Sequence, residues 1–212
     1  MFRVNSTFVD LESPDAPGLL AQARAGDAEA FGEVCRAYES GLLRQAVTLC
    51  GNPTLAEDLA QDTLVEAWQC LRRYNGNCQF FTWLCAILLN RYHNTVRRKR
   101  PLLFSAFRAR DQEEFQDRLV QVPDEELPPD EATERREQAA LVQRCLERLS
   151  AKHQQVIYLR FYVDDSLAGI GAALGCSVGT VKSRLFYALD QLRGMNVLTE
   201  PGANLKEKVK EP

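Results

Sequence analysis

The chain reads as an all-α protein of two small helical domains joined by an acidic flexible linker, the second a four-helix domain built on a helix-turn-helix. Three observations predict this. Apolar residues recur at helical spacing wherever the chain is patterned. Strand signals are missing, with no sustained alternation and no Asn-Gly or Asp-Gly turn between β-branched runs. Charge is segregated along the chain. From Ala67 through Arg110 there is no Asp or Glu, while Arg72, Arg73, Arg91, Arg97, Arg98, Lys99, Arg100, Arg108 and Arg110 accumulate. Asp111, Glu113, Glu114, Asp117, Asp124, Glu125, Glu126, Asp130, Glu131 and Glu134 then face a single base, Arg118, among Pro123, Pro128 and Pro129. That stretch reads as a solvated tether, and the segment after it turns mildly basic again.

The elements follow in order. A segment from Pro14 to Gly26 carries a helix with Leu19, Leu20 and Ala23 on one face. Asp27 caps the next, Ala28 to about Cys50, whose apolar stripe is Phe31, Val34, Tyr38, Leu42, Ala46 and Leu49. Gly51-Asn52-Pro53 breaks it. A third helix starts either at Asn52 with Pro53 in the first helical position, or at Thr54 with Glu57 as a capping box. It runs to about Tyr74 and turns Ala56, Leu59, Ala60, Thr63, Ala67, Trp68 and Leu71 inward. After Asn75-Gly76-Asn77 a fourth helix spans about Phe80 to Arg100, where Pro101 should stop it. Beyond the linker come helices near Arg135–Leu149 and from Ser150 to about Tyr162. The resulting divisions are an N-terminal extension (1–18), a first domain (19–110), the linker (111–134), a second domain (135–195) and a tail (196–212).

Ser166 to Leu189 is the most informative segment. Ser166 caps a short helix to about Leu174, with Leu167, Ile170 and Leu174 at helical spacing, and Gly175 supplies the left-handed turn. Ser177 caps a second helix whose buried stripe is Val181, Leu185, Leu189 and Leu192. Gly171 sits where the two helices should cross. The second helix then presents Thr180, Lys182, Ser183, Arg184, Phe186 and Tyr187, groups that reach phosphates and base edges in a DNA groove. The plainer alternative is a helical hairpin with a polar outer face.

Composition narrows the classes further. In 212 residues, 45% hydrophobic and 26% charged content is ordinary for a soluble globular chain. No stretch approaches the apolar run of about 20 residues that a membrane span needs. The N-terminal MFRVNSTFVDLESPD carries acids and no apolar core, unlike a secretory signal, so a cytoplasmic location is expected. Seven cysteines (35, 50, 70, 78, 85, 145 and 176) form no C-x-x-C pair, which argues against a zinc site or a disulfide framework. They read as small buried hydrophobes of a reducing cytosol, with Cys78, in a loop, the one candidate for redox sensing. The only histidines are His93 and His153, read as structural or DNA-facing. No Ser-His-Asp set, phosphate-binding Gly loop or metal spacing argues for catalysis, so no cofactor and no enzyme activity are expected.

Two surfaces of the first domain carry possible chemistry. Asp58, Asp62 and Glu66 recur every four residues, with Gln61 beside them. Like charges at that spacing repel by a few tenths of a kcal/mol each, and such a face often meets a basic partner. On spacing alone, a plain solvated face takes precedence. The second surface interleaves Tyr74, Phe80, Phe81, Trp83, Tyr92 and His93 with Asn75, Asn77, Gln79, Asn90 and Asn94, and Arg97-Arg98-Lys99-Arg100 closes the helix. Aromatics that stack on unpaired bases, amides that read base edges and a cationic stripe make a platform for single-stranded DNA.

AEDLAQDTLVEAW (Ala56–Trp68), FFTWLCAILLNRYHNTVRRKR (Phe80–Arg100), LERLSAKHQQVIYLRFY (Leu146–Tyr162) and LGCSVGTVKSRLFYAL (Leu174–Leu189) come in the order and spacing of a known family. Over roughly Leu19 to Met195 the chain resembles an extracytoplasmic-function (ECF) sigma factor, the minimal two-domain branch of the bacterial sigma-70 family. The resemblance implies a promoter-specificity subunit that binds core RNA polymerase, recognises −35 and −10 elements and promotes initiation, while polymerase does the chemistry. It implies that the helix with Asp58, Gln61, Asp62 and Glu66 docks on the clamp coiled coil of the largest polymerase subunit, which reverses the plain reading of that face. It assigns Asn75, Asn77, Gln79, Phe80, Trp83, Asn90, Arg97 and Arg98 to the opened −10 element, with flipped bases held off a single-strand groove. Thr180, Lys182, Ser183, Arg184, Phe186 and Tyr187 then read the −35 duplex. The first domain becomes sigma domain 2 and the second sigma domain 4, and the linker threads toward the active-site channel and RNA exit path. An anti-sigma protein, often membrane-bound, is the further partner implied, which would hold the chain at the inner membrane face.

The chain departs from the family pattern in two places. Where relatives usually read about S-Y-E-E-I-A, this one has Ser166-Leu167-Ala168-Gly169-Ile170-Gly171. Gly169 forfeits the capping-box carboxylate, and each Gly costs about 1 kcal/mol against Ala, so this helix is expected to fray unless a partner covers it. Cys85, Ala86 and Leu89 replace residues that are commonly Tyr, Arg and Arg, predicting a less basic DNA face and an apolar patch around Leu89 for a regulatory partner. Two rival functions remain: a polymerase-binding decoy or regulator without promoter melting, and a stand-alone helix-turn-helix transcription factor.

Overall fold

The computed structural model describes residues 16–103 and 141–195, with side chains over 18–97 and 141–195. These residues fall into two compact units, both built of helices. The extension to residue 15, the acidic linker (111–134), the start of the helix predicted near Arg135 and the tail lie outside the described residues.

Among the described residues, the first unit holds four α-helices: α1 (Ala16–Arg24), α2 (Ala28–Cys50), α3 (Pro53–Cys70) and α4 (Phe80–Leu103). Asp27 caps α2 by accepting from the backbone N–H groups of Glu29 and Ala30 at 2.9 and 3.1 Å. Asn52 caps α3, accepting from Leu55 N at 3.0 Å with Pro53 at the first helical position, which decides between the two starts open in the sequence. Phe31, Val34, Tyr38, Leu42, Ala46 and Leu49 of α2 are buried as their spacing predicts, and α3 turns Ala56, Leu59, Ala60, Thr63, Leu64 and Ala67 inward. The third helix ends earlier than expected, at Cys70, and a 3-10 turn over Leu71–Arg73 leads to Tyr74.

Helix α4 differs most from expectation. It continues through Pro101 to Leu103. Proline removes one intrahelical hydrogen bond, and this close to a helix end little helix remains for the defect to disturb. Leu84, Cys85, Ala86, Ile87, Leu88 and Leu89 are all buried, because α4 packs against both α2 and α3. A helix enclosed over a wide arc is apolar nearly all round. Cys85 (0% exposed), Ala86 (3%) and Leu89 (0%) therefore belong to the core, and the apolar surface patch expected around Leu89 does not exist.

The second unit consists of α5 (helical over 141–147), α6 (Ala151–Phe161), α7 (Leu167–Leu174) and α8 (Val178–Gly194). Ser150 caps α6, and Gln154 Nε2 donates to Leu146 O and Leu149 O at 2.8 and 3.2 Å, satisfying two carbonyls at the end of α5. Val181, Leu185, Ala188, Leu189 and Leu192 of α8 face α6 and α7. Gly175 ends α7 at φ 63°, and Cys176 N donates to Gly171 O at 2.9 Å. A Cβ built on Gly171 would lie 2.8 Å from the Cys176 carbonyl oxygen.

Gly171→Ala should therefore destabilise the second unit by about 1–3 kcal/mol through overpacking against backbone. Gly18→Ala, with nothing within 4 Å of the added carbon, should be neutral or stabilising by roughly 0.5–1 kcal/mol. Both tryptophans, Trp68 and Trp83, lie in the first unit. The Gly171→Ala loss should accordingly show in circular dichroism melting and leave the tryptophan fluorescence transition in place.

Candidate functional site

The α3 face opposite the core exposes Asp58, Gln61 and Asp62, with Glu66 half-buried at its edge. Gln61 Nε2 lies 3.5 Å from Glu39 Oε1, which brings a carboxylate of α2 onto the same face. Arg91 reaches across from α4: its Nη1 is 3.4 Å from Asp62 Oδ2 and its Nε donates to Glu66 Oε2. The repulsion inferred from spacing is thus partly neutralised by a residue 25 and 29 positions away, which no local pattern could reveal. Exposed pairs of this kind contribute at most about 1 kcal/mol. Trp68, expected in the core, is 37% exposed, its ring resting on Phe31 at 5.0 Å, and Val65 beside it is 54% exposed. Apolar surface thus adjoins the carboxylates.

The loop before α4 is shaped by its own side chains. Tyr74 is buried, and its hydroxyl donates to Cys78 O at 2.7 Å. Asn75 Oδ1 accepts from Asn77 N at 3.0 Å, an Asx turn that exposes Asn75, Asn77 and Gln79. Phe80 is buried, its ring 5.3 Å from Tyr38, 5.2 Å from Tyr74 and 5.5 Å from Trp83. Trp83 is half-buried on this ring cluster. Further along, Asn90, Asn94 and Arg97 form an exposed stripe at helical spacing, while the Arg98 side chain lies outside the described residues. His93 flanks the stripe, and its Nε2 is buried without a hydrogen-bond partner. Desolvation holds its pKa below the ordinary 6.5.

In the second unit the caps make the turn. Ser166 Oγ accepts from Gly169 N at 3.0 Å and Ser177 Oγ from Thr180 N at 3.2 Å. The short first helix is formed and capped at both ends, contrary to the fraying expected from its glycines. Asp165 supplies the reason. Its buried carboxylate accepts from Ser166 N at 2.6 Å and occupies the space beside Gly169, where an added Cβ would sit 2.5 Å from Oδ1. Buried Arg160 donates from Nη1 to Asp165 O at 2.9 Å, fixing this junction to α6. A carboxylate one residue before the cap thus makes the bond to the cap N–H that a capping-box residue at 169 would make.

The outer face of α8 exposes Lys182, Ser183, Phe186 and Tyr187, with Thr180 and Arg184 half-buried. Several of its polar groups are engaged within the unit: Ser183 Oγ donates to Gly179 O at 2.9 Å, Thr180 Oγ1 lies 2.9 Å from Ser177 Oγ, and Arg184 Nη1 lies 3.9 Å from Cys176 Sγ. Phe186 (59% exposed) and Tyr187 (58%) are large apolar groups left open to solvent beside the exposed Lys182.

Residues 34–101 match the family pattern described as Sigma-70 region 2, and residues 145–194 match Sigma-70, region 4. The sigma factor CnrH of Cupriavidus metallidurans is 33% identical over 180 residues, covering 84% of this chain and 92% of that protein. The ECF sigma factor SigW of Bacillus subtilis is 29% identical over 174 residues, covering 82% and 92%. This chain belongs to the ECF sigma factors of the sigma-70 family. It is a promoter-specificity subunit, whose partners are core RNA polymerase and promoter DNA. Solved structures agree in fold. CnrH in complex with the cytosolic domain of CnrY matches with a TM-score of 0.53 at 25% identity, covering 88% of this chain and 99% of that one. The sigma factor RpoE bound to the anti-sigma factor NepR from Bartonella quintana matches with a TM-score of 0.52 at 24% identity, covering 82% and 100%.

Among the described residues, no helix of this sigma factor is long and apolar enough to cross a membrane, and no cluster of His, Cys, Asp or Glu is placed to hold a metal. None of the seven cysteines forms a disulfide. Cys85 is fully buried, and desolvation pushes its thiol far up, away from the reactive thiolate. Glu39, Arg91 and Asp165 are the site residues that sequence reasoning missed. Their roles come from contacts between helices or across a helix start, which no local spacing reveals.

The His93 pKa gives a pH dependence with a definite sign. Its folded value lies below its unfolded one, so in that window the unfolded chain binds more protons and stability falls as pH drops below about 6.5. Urea unfolding followed by tryptophan fluorescence between about pH 5 and 8 should show this decline in the wild type and a flatter profile in His93→Gln.

Proposed function

We propose that the two units divide promoter recognition and polymerase binding between them. The carboxylate face of α3, with Asp58, Gln61, Asp62 and Glu66 and the adjoining Trp68 and Val65, docks on a basic polymerase surface with an apolar centre. The loop amides Asn75, Asn77 and Gln79, with Trp83, Asn90, Arg97 and Arg98, take the opened −10 strand, while Phe80 supports the Trp83 ring from beneath. Helix α8 enters the −35 major groove with Lys182, Phe186 and Tyr187 foremost and Thr180, Ser183 and Arg184 beside them. In this reading the chain spans a sigma domain 2 over 19–110 and a sigma domain 4 over 135–195, is not an enzyme, and works in the cytoplasm. The observation that carries it is the pairing of an exposed acidic face on α3 with a carboxylate-free α4 in one unit, so that separate surfaces of that unit suit a basic protein and a polyanion. The complexes of CnrH with CnrY and of RpoE with NepR motivate an inhibitory protein partner here too.

Charge reversal tests the assignment. Asp58→Lys with Asp62→Lys should weaken core polymerase binding by more than tenfold in a pull-down or fluorescence titration, with the circular dichroism spectrum unchanged. Retained core binding would contradict the α3 assignment. Lys182→Ala should cost about 1–3 kcal/mol of −35 duplex discrimination with core binding intact.

A further inference from the structure

The acidic face of α3 is held by a residue of the helix that carries the DNA stripe. We infer that Arg91 serves the two interfaces in turn: it neutralises Asp62 and Glu66 in the free subunit, and it takes a phosphate of the single strand once polymerase has replaced it on those carboxylates. The inference rests on the reading of the two faces given above.

Its guanidinium divides between two carboxylates, one 3.4 Å from Nη1 and the other on Nε. Neither pair is sheltered: the Arg91 side chain is 34% exposed, that of Asp62 62% and that of Glu66 40%. Water competes for every partner, so the clasp is loosely held. A basic surface arriving on Asp58, Asp62 and Glu66 pairs those carboxylates and repels Arg91 at the same time. The displaced guanidinium remains tethered next to Asn90, at the flank of the stripe Asn90, Asn94 and Arg97. From Ala67 to Arg110 the chain supplies no carboxylate, so the carboxylates that hold Arg91 come from α3 and none from its own helix. A guanidinium is also the group best matched to phosphate geometry. Because one residue is shared, linkage requires that polymerase docking and strand capture favour each other by the same factor. Arg91 is in this sense a DNA-binding residue available only in the holoenzyme.

The test uses a labelled single strand with the non-template sequence of a promoter mapped by run-off transcription. Its binding to the free chain and to the reconstituted holoenzyme is measured against salt concentration for wild type, Arg91→Gln and Arg91→Lys. In the holoenzyme, Arg91→Gln should lower the magnitude of the log K against log salt slope by about 0.7, the share of one phosphate on single strands, and Arg91→Lys should restore it. In the free chain the three slopes should coincide, and Arg91→Gln should bind core polymerase at least as tightly as wild type. An unchanged holoenzyme slope in Arg91→Gln overturns the inference. Weaker core binding by that variant also overturns it, since Arg91 would then only brace the acidic face. Failure of the underlying reading is separate: it shows as retained core binding in the Asp58→Lys, Asp62→Lys protein, whatever Arg91→Gln does.

Discussion

Helix α4 is at once the centre of the first unit's core and, in the function proposed above, the carrier of its nucleic-acid face, and that double demand limits where chemistry can sit. The run Leu84–Leu89 is enclosed by α2 and α3 and is buried on every side. Polar function is therefore displaced to the two ends of the helix: the ring cluster and loop amides before it, and the stripe from Asn90 onward. Cys85, Ala86 and Leu89 are buried in a helix packed on α2 and α3, so they offer no surface to a ligand in this chain. The aromatic cluster of Tyr38, Tyr74, Phe80 and Trp83 links the regions, since the rings that close the core also position the half-buried indole.

The second unit solves a different problem, that of holding two helices close across a tight turn. Gly171 admits the Cys176 carbonyl to a distance that any side chain would forbid, and Gly175 supplies the left-handed residue. Absence of a side chain at 169 matters equally, because the Asp165 carboxylate fills that space. The two glycines that look like defects by helix propensity are places where backbone or a carboxylate approaches the helix. With α7 fixed in this way, α8 can leave one face wholly to the outside, where large apolar rings stand exposed at 186 and 187.

Much of this was legible in the sequence. Caps at Asp27, Asn52, Ser166 and Ser177 and the stripes of α2 and α8 are local signals, and local signals decide helix starts and buried faces. What the sequence hid depends on neighbours distant along the chain. Leu89 looks like a surface anomaly until α2 and α3 are known to cover it. Trp68 lies at a buried helical spacing, yet it rests on Phe31 with more than a third of its surface exposed. Arg91 is one base among many until α3 places two carboxylates in its reach, and Asp165 acquires a role only through a glycine four residues on. Pro101 was read as a full stop, but a proline that close to a helix end has few hydrogen bonds left to break.

The central claim is that this chain directs core RNA polymerase to promoters and opens them there. It is tested most directly by adding the purified protein to bacterial core polymerase on fragments of its own genome and mapping transcript starts. The account predicts discrete start sites that depend on the protein and share paired sequence elements upstream. Binding to core polymerase without any start site would contradict it, and would make the chain a regulator that occupies polymerase without opening DNA.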